Sequence, residues 1–283
     1  MIVNLAFEQA AAQLRAAGVT DPAWDAERLL RHLTGWDRAE ALLRGFETLA
    51  PETQAAFFEL VAERARRRPL QYLTGSQAFW RHEFLVTPDV LIPRPETEQL
   101  VEASLLALTD TSRPVIVDVG TGSGCIALSL AAERPDATVH AIDSSPAALA
   151  VARQNAHRLG LGERVGFHQG DFLTPPPVAP GTAHLIVSNP PYVDLAEILG
   201  LAPEIRDHEP RQALVPPGDR YGAYRRIAPQ AFPLLAAGGS LVLEVGRGMA
   251  EQVVAICQAA GLRLPSVLPD LQGIPRTVVT RKS

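Results

Sequence analysis

Val115-Ile116-Val117-Asp118-Val119-Gly120-Thr121-Gly122-Ser123-Gly124 begins with four β-branched residues around one aspartate and ends with a glycine at every second position. A run so rich in valine and isoleucine fits a strand buried on both faces of a parallel sheet. Glycines at 120, 122 and 124 let the backbone approach a ligand closely, with the N–H groups of the next helix aimed at it. The spacing is G-x-G-x-G, not the G-x-G-x-x-G turn that cradles a pyrophosphate. Asp118, just before the first glycine, would repel a phosphate but could hold an ammonium group.

Outward from this turn, strands and helices alternate. A helix over 123–134, TVHAID (138–143), a helix over 145–159, VGFHQGD (165–171) and AHLIVSNPPY (183–192) lead to a helix near 222–236, SLVLEVG (240–246) and a helix near 249–260. Such alternation implies an α/β domain whose mainly parallel sheet is covered on both faces. LPSVLPD (264–270) and PRTVVTR (275–281) are two final strands close in sequence, so the last is expected to run antiparallel.

The strand ends match the parts of one ligand. Asp143 closes the second strand about 20 residues after the glycine turn, where a carboxylate can accept from both ribose hydroxyls. The third strand ends in Gln169-Gly170-Asp171-Phe172, an acceptor and an aromatic ring suited to an adenine edge and face. Adenosine at one end and a cationic amino acid at the other describe S-adenosylmethionine. The expected cofactor residues are Asp118, Gly120, Thr121, Gly122, Ser123, Gly124, Asp143, Asp171 and Phe172, together with Asn189.

The fourth strand stops at Ser188 and gives way to Asn189-Pro190-Pro191-Tyr192. Two prolines cannot donate to a sheet ladder, so they leave neighbouring carbonyls unpaired in a stiff, extended backbone. Asn189 adds a side-chain acceptor beside an aromatic ring. Acceptors placed opposite the two N–H groups of a carboxamide would aim its nitrogen at an electrophile. Asn189, Pro190 and Tyr192 are the expected catalytic residues, and Pro191 joins them as substrate-binding.

The composition limits what else the chain does. Hydrophobic residues make up 47% of 283 and charged residues 20%, enough apolar material for a large core. No apolar run approaches the roughly 20 residues a membrane span needs, and the first residues lack the charged start of a signal peptide. Two cysteines, Cys125 and Cys257, exclude a disulfide framework and fit a cytoplasmic protein. No metal-ligand spacing occurs. A net charge of −5 argues against a broad nucleic-acid-binding face. Residues 1–68 read as a helical domain, 69–92 as a β-hairpin linker and 93–283 as the sheet domain. Arg64, Arg66, Arg67 and Arg68 read as solvated cations at a helix C-terminus.

VIVDVGTGSGCIAL, AID, QGDF and SNPPY, with PLQYLTG (69–75), LIPRPETE (91–98) and EPRQAL (209–214), resemble the protein-(glutamine-N5) methyltransferase family. They are most like its members that modify peptide chain release factors. The resemblance implies a class I, Rossmann-like seven-stranded sheet; a monomer is expected. It implies methyl transfer from S-adenosylmethionine to the Gly-Gly-Gln glutamine of a release factor; since the sheet domain accounts for cofactor and chemistry, residues 1–68 are expected to recognise that partner. His208, Phe172 and GDRYGAYRRI (218–227) depart from the family pattern without removing a polar group from the expected site. Glutamine methylation of a ribosomal protein, amino-methylation of DNA or RNA, and cofactor binding without catalysis are the alternatives.

Overall fold

Residues 1–283 are described by a computed structural model. They divide into two compact units, 1–76 with 201–208, and 77–200 with 209–283. The first unit holds α1 (Val3–Ala16), α2 (Pro22–Thr34), α3 (Arg38–Leu43), α4 (Pro51–Ala65) and α5 (Leu70–Thr74). Local signals account for most of these boundaries. Pro22 and Pro51 open their helices at the first turn, Gly35 ends α2 at φ 72°, and Asp37 and Glu40 form a reciprocal capping box at α3. Leu14, Leu29, Leu30, Phe57 and Val61 close the core of the unit.

Two readings change in this unit. Helix continues through α5 to Gly75, so the hairpin is confined to β1 (Ser76–Phe79) and β2 (His82–Leu85). Arg64 is not solvated but buried. Its Nε donates to Asp25 Oδ2 at 2.6 Å and its Nη2 to Glu204 Oε1 at 2.8 Å, while Arg67 Nη2 donates to Glu204 Oε2 at 2.7 Å. Glu204 lies on the helix Pro203–His208, which the chain sends back into this unit. A charge run reads as solvated only while a partner so distant in sequence is unseen.

The second unit continues with α6 (Glu98–Ala107), β3 (Val115–Val119), α7 (Cys125–Glu133), β4 (Thr138–Asp143), α8 (Pro146–Arg158), β5 (Val165–Gln169) and β6 (Ala183–Ser188). After α9 (Pro203–His208), which belongs to the first unit, come α10 (Arg211–Leu214), α11 (Gly222–Leu234), β7 (Leu235–Glu244), α12 (Ala250–Ala259), β8 (Arg263–Pro269) and β9 (Pro275–Arg281). The seven-stranded sheet has the order β5-β4-β3-β6-β7-β9-β8. β3 to β7 pair in parallel, whereas β9 inserts antiparallel between β7 and β8. The chain winds outward from β3 through β4 and β5, then crosses to β6 on the other side. That reversal opens a crevice at the carboxyl ends of the strands. Register sets Val119 beside both Ile142 and Ser188, so the four strand ends singled out above share one edge. No helix is long and apolar enough to cross a membrane.

Candidate active site

A cavity of ≈ 450 Å³ lies at this edge, with Gly120, Gly122, Asp143, Phe172, Asn189 and Pro191 in its wall. The three turn glycines do different work. Gly120 (φ 72°) and Gly122 (φ 55°) line the cavity, and a Cβ on either would project into open space. Gly124 (φ 83°) turns inward, where a Cβ would stand 3.0 Å from Leu128 Cδ1 and 3.2 Å from Ala152 Cβ. It allows helix packing and does not line the cavity.

Asp118 is fully buried beneath the turn. Its Oδ2 accepts from Thr121 Oγ1 at 2.6 Å and from the Ala127 N–H at 3.2 Å, and Oδ1 has no partner. Burial pushes its pKa up to about 7. A buried carboxylate oxygen left unpaired is costly, and a cation beside the turn would relieve that cost. Thr121 therefore serves Asp118. Ser123 is buried as well, its carbonyl accepting from Asn155 Nδ2 at 2.9 Å.

Asp143 stands in the cavity wall, held by backbone donors. Oδ2 accepts from the Gly122 N–H and Oδ1 from the Ser145 N–H, both at 2.9 Å, which leaves lone pairs facing the cavity. Asp171 is not the free acceptor the sequence suggests. Its Oδ2 accepts from Arg226 Nη2 at 2.6 Å, and the same guanidinium lies 4.5 Å from the Phe172 ring centroid. Arg226 also lines the cavity. Nothing in the spacing of α11 signalled it.

Ser188 closes β6 by donating through Oγ to the Val119 carbonyl at 2.7 Å. Asn189 and Pro191 then face the cavity, while Pro190 is buried. Asn189 Nδ2 donates to Thr97 Oγ1 at 3.1 Å, so Oδ1 is the end of the amide left to accept. Tyr192, expected among the catalytic residues, does not line this cavity. Its ring packs over Gly246, where a Cβ would stand 3.0 Å from Tyr192 Cδ2, and its hydroxyl points to Glu244 Oε1 at 3.4 Å. Arg94 of the Pro-Arg-Pro loop pairs with buried Glu209, which joins the PRPETE and EPRQAL stretches.

The profile of the PrmC N-terminal domain matches residues 6–75, and that of a methyltransferase domain matches residues 110–260. A release factor glutamine methyltransferase of Cereibacter sphaeroides is 45% identical over 276 residues, which cover 98% of this chain and 97% of that one. Its counterpart in Moorella thermoacetica is 44% identical over 277 residues, with 98% and 97% covered. A methyltransferase crystal structure from Pyrococcus furiosus superposes with a TM-score of 0.52 at 16% identity, covering 78% of this chain and 98% of its own, a likeness of fold alone.

Proposed function

Since this chain belongs to the release factor glutamine methyltransferase family, we propose that it transfers a methyl group from S-adenosylmethionine to the side-chain amide nitrogen of a glutamine in a peptide chain release factor. The observation that carries this reading is the shared sheet edge. The unpaired Asp118 oxygen buried behind the turn whose Gly120 and Gly122 line the cavity, and the Asn189 acceptor in the cavity wall, suit a cationic amino acid and a carboxamide placed side by side.

When bound, S-adenosylmethionine supplies an electrophilic methyl on a sulfonium centre. The residues of this chain bind and aim. Asp118 would face the ammonium group, Asp143 the ribose hydroxyls and Phe172 the adenine. Asn189 Oδ1 and the Pro190 carbonyl would accept the two N–H bonds of the glutamine amide. That contact draws density onto a nitrogen whose lone pair is otherwise delocalised into its carbonyl. It also holds the nitrogen in line with the methyl, and such positioning is worth roughly 7–11 kcal/mol when well executed. The N–C bond would form as the S–C bond breaks to leave a neutral thioether, and the nitrogen, acidic only as the methyl arrives, would release its proton to solvent, so no strong base is needed. The residues named here for cofactor and chemistry belong to the second unit, and we assign the helical first unit to recognition of the protein substrate.

A radiolabelled methyl-transfer assay decides the substrate. Purified release factor, ribosomal proteins and unmethylated DNA are incubated in parallel with labelled cofactor. Label in the release factor, lost when its Gly-Gly-Gln glutamine is replaced, is the expected result. Label confined to a ribosomal protein or to nucleic acid would overturn the assignment.

A further inference from the structure

Asn189 can present either end of its amide to the cavity, and only one end is useful. If the NH₂ group faced the substrate, two donors would oppose each other and the glutamine would be turned away. Something must fix the orientation. The Asn189 Nδ2 partner is Thr97 Oγ1, a hydroxyl that can itself donate or accept. A hydroxyl free to rotate would tolerate both orientations of the amide.

Thr97 is not free. It is 2% exposed, and Oγ1 lies 2.6 Å from Glu244 Oε2, a carboxylate 3% exposed at the end of β7. An ionised carboxylate only accepts, so the Thr97 hydrogen points to Glu244 and its lone pairs alone face Asn189. Only Nδ2 can then face Thr97. The second oxygen of the same carboxylate is the partner of the Tyr192 hydroxyl. One buried group therefore holds both ends of Asn189-Pro190-Pro191-Tyr192.

We propose that Thr97 and Glu244 are positioning residues for the transfer, forming a relay that locks Asn189 with its acceptor toward the substrate. The inference rests on the methyl-transfer reading above and adds two residues to it. Neither touches the cavity, so their effect runs through Asn189.

The ionisation of Glu244 follows the same logic. Burial pushes its pKa up to about 7, with Glu96 raising it further and Arg276 on β9 opposing. Thr97 and Tyr192 bond to its carboxyl, and Tyr224 on α11 donates to its backbone carbonyl at 2.9 Å. Once protonated, Glu244 can donate to Thr97, which frees the Thr97 hydrogen to meet Asn189 Oδ1 and releases the lock.

The test compares Thr97→Val and Thr97→Ala, which delete the hydroxyl, with Thr97→Ser, which keeps it. Single-turnover rates on release factor are measured with cofactor saturating. The Val and Ala variants are expected to lose on the order of 10–100-fold in kcat, with cofactor Kd and release-factor KM within about twofold of wild type, and Ser is expected to restore the rate. Wild-type kcat should also fall as pH drops through about 7, and the Val variant should lack that fall. An independent readout is the side-chain amide of Asn189 by NMR. Its protons should exchange slowly in wild type and Thr97→Ser, and quickly in Thr97→Val. Val or Ala variants as fast as Ser, or a loss matched in cofactor Kd, would overturn the relay. If wild type labels no release factor while Asn189 still shows slow exchange that depends on Thr97, the lock stands and the substrate assignment falls. Exchange indifferent to Thr97 removes the lock itself.

Discussion

Asp143 illustrates how one side chain serves structure and ligand together. Its two oxygens take the Gly122 and Ser145 N–H groups, which shapes the glycine turn, and their remaining lone pairs face the cavity. Asp143→Ala should weaken S-adenosylmethionine binding by about 1.5–3 kcal/mol, the range for hydrogen bonds to a charged group. Isothermal calorimetry checks this, and unchanged affinity would remove Asp143 from the site. Asn189→Ala is a different experiment, because its acceptor matters most when the nitrogen is aligned for attack. The loss should fall on kcat and leave cofactor affinity near wild type, as single-turnover rates on release factor would show. Asn189→Asp keeps an acceptor toward the cavity but loses the Nδ2 donor to Thr97, so it should lose rate as well, with cofactor affinity again near wild type. At this scale the sequence located the acceptor but not its support. Thr97 sits inside the PRPETE stretch, yet its partner Glu244 is 147 residues away in the chain. No spacing rule links them.

Elements were legible wherever a local signal marks them. Alternation of β-branched runs with helices placed most boundaries of the sheet unit within a residue or two, although β7 starts at Leu235 and not at 240. The exceptions have tertiary causes. α5 is a five-residue helix with two buried side chains, Leu70 and Tyr72, and so short a helix owes its stability to packing. The Arg64–Asp25–Glu204 cluster is the other exception, where the helix Pro203–His208 supplies a charge to a unit that local sequence shows as complete. Removing one member of a buried ion network strands the others. Arg64→Met should therefore destabilise the helical unit by about 3–5 kcal/mol, whereas adding Asp25→Leu and Glu204→Gln should recover much of that loss. Urea denaturation followed by circular dichroism would show it as a shift in the midpoint for the helical transition. An Arg64→Met midpoint equal to wild type would return Arg64 to the solvated reading.

Across the whole molecule, burial of carboxyls at the sheet edge ties stability to pH. Desolvation raises Asp118 from its ordinary 3.8 to about 7, so between those values the folded chain holds a proton that the unfolded chain releases. Stability contributed by this group is present at low pH and declines as pH rises toward 7. Half-buried His140 and His168, whose pKa values desolvation lowers, act in the opposite sense. Comparison with Asp118→Asn isolates the carboxyl. The ligand-free variant should gain on wild type in Tm as pH rises from about 4 to 7 and then hold a constant difference. Differential scanning calorimetry across that range checks it, and a pH-independent difference would mean Asp118 is ionised throughout. The sequence by itself determined the parallel α/β sheet, the glycine turn and the Asn-Pro-Pro-Tyr acceptor, because periodicity, backbone freedom and missing N–H donors act over a few residues. Only the tertiary structure decided which glycine faces the cavity and which faces the core, that Arg226 occupies Asp171, and that Glu244 reaches Asn189 through Thr97. Those outcomes depend on strand order and register, which bring distant residues within hydrogen-bonding range, and on the burial that makes each unpaired polar atom costly.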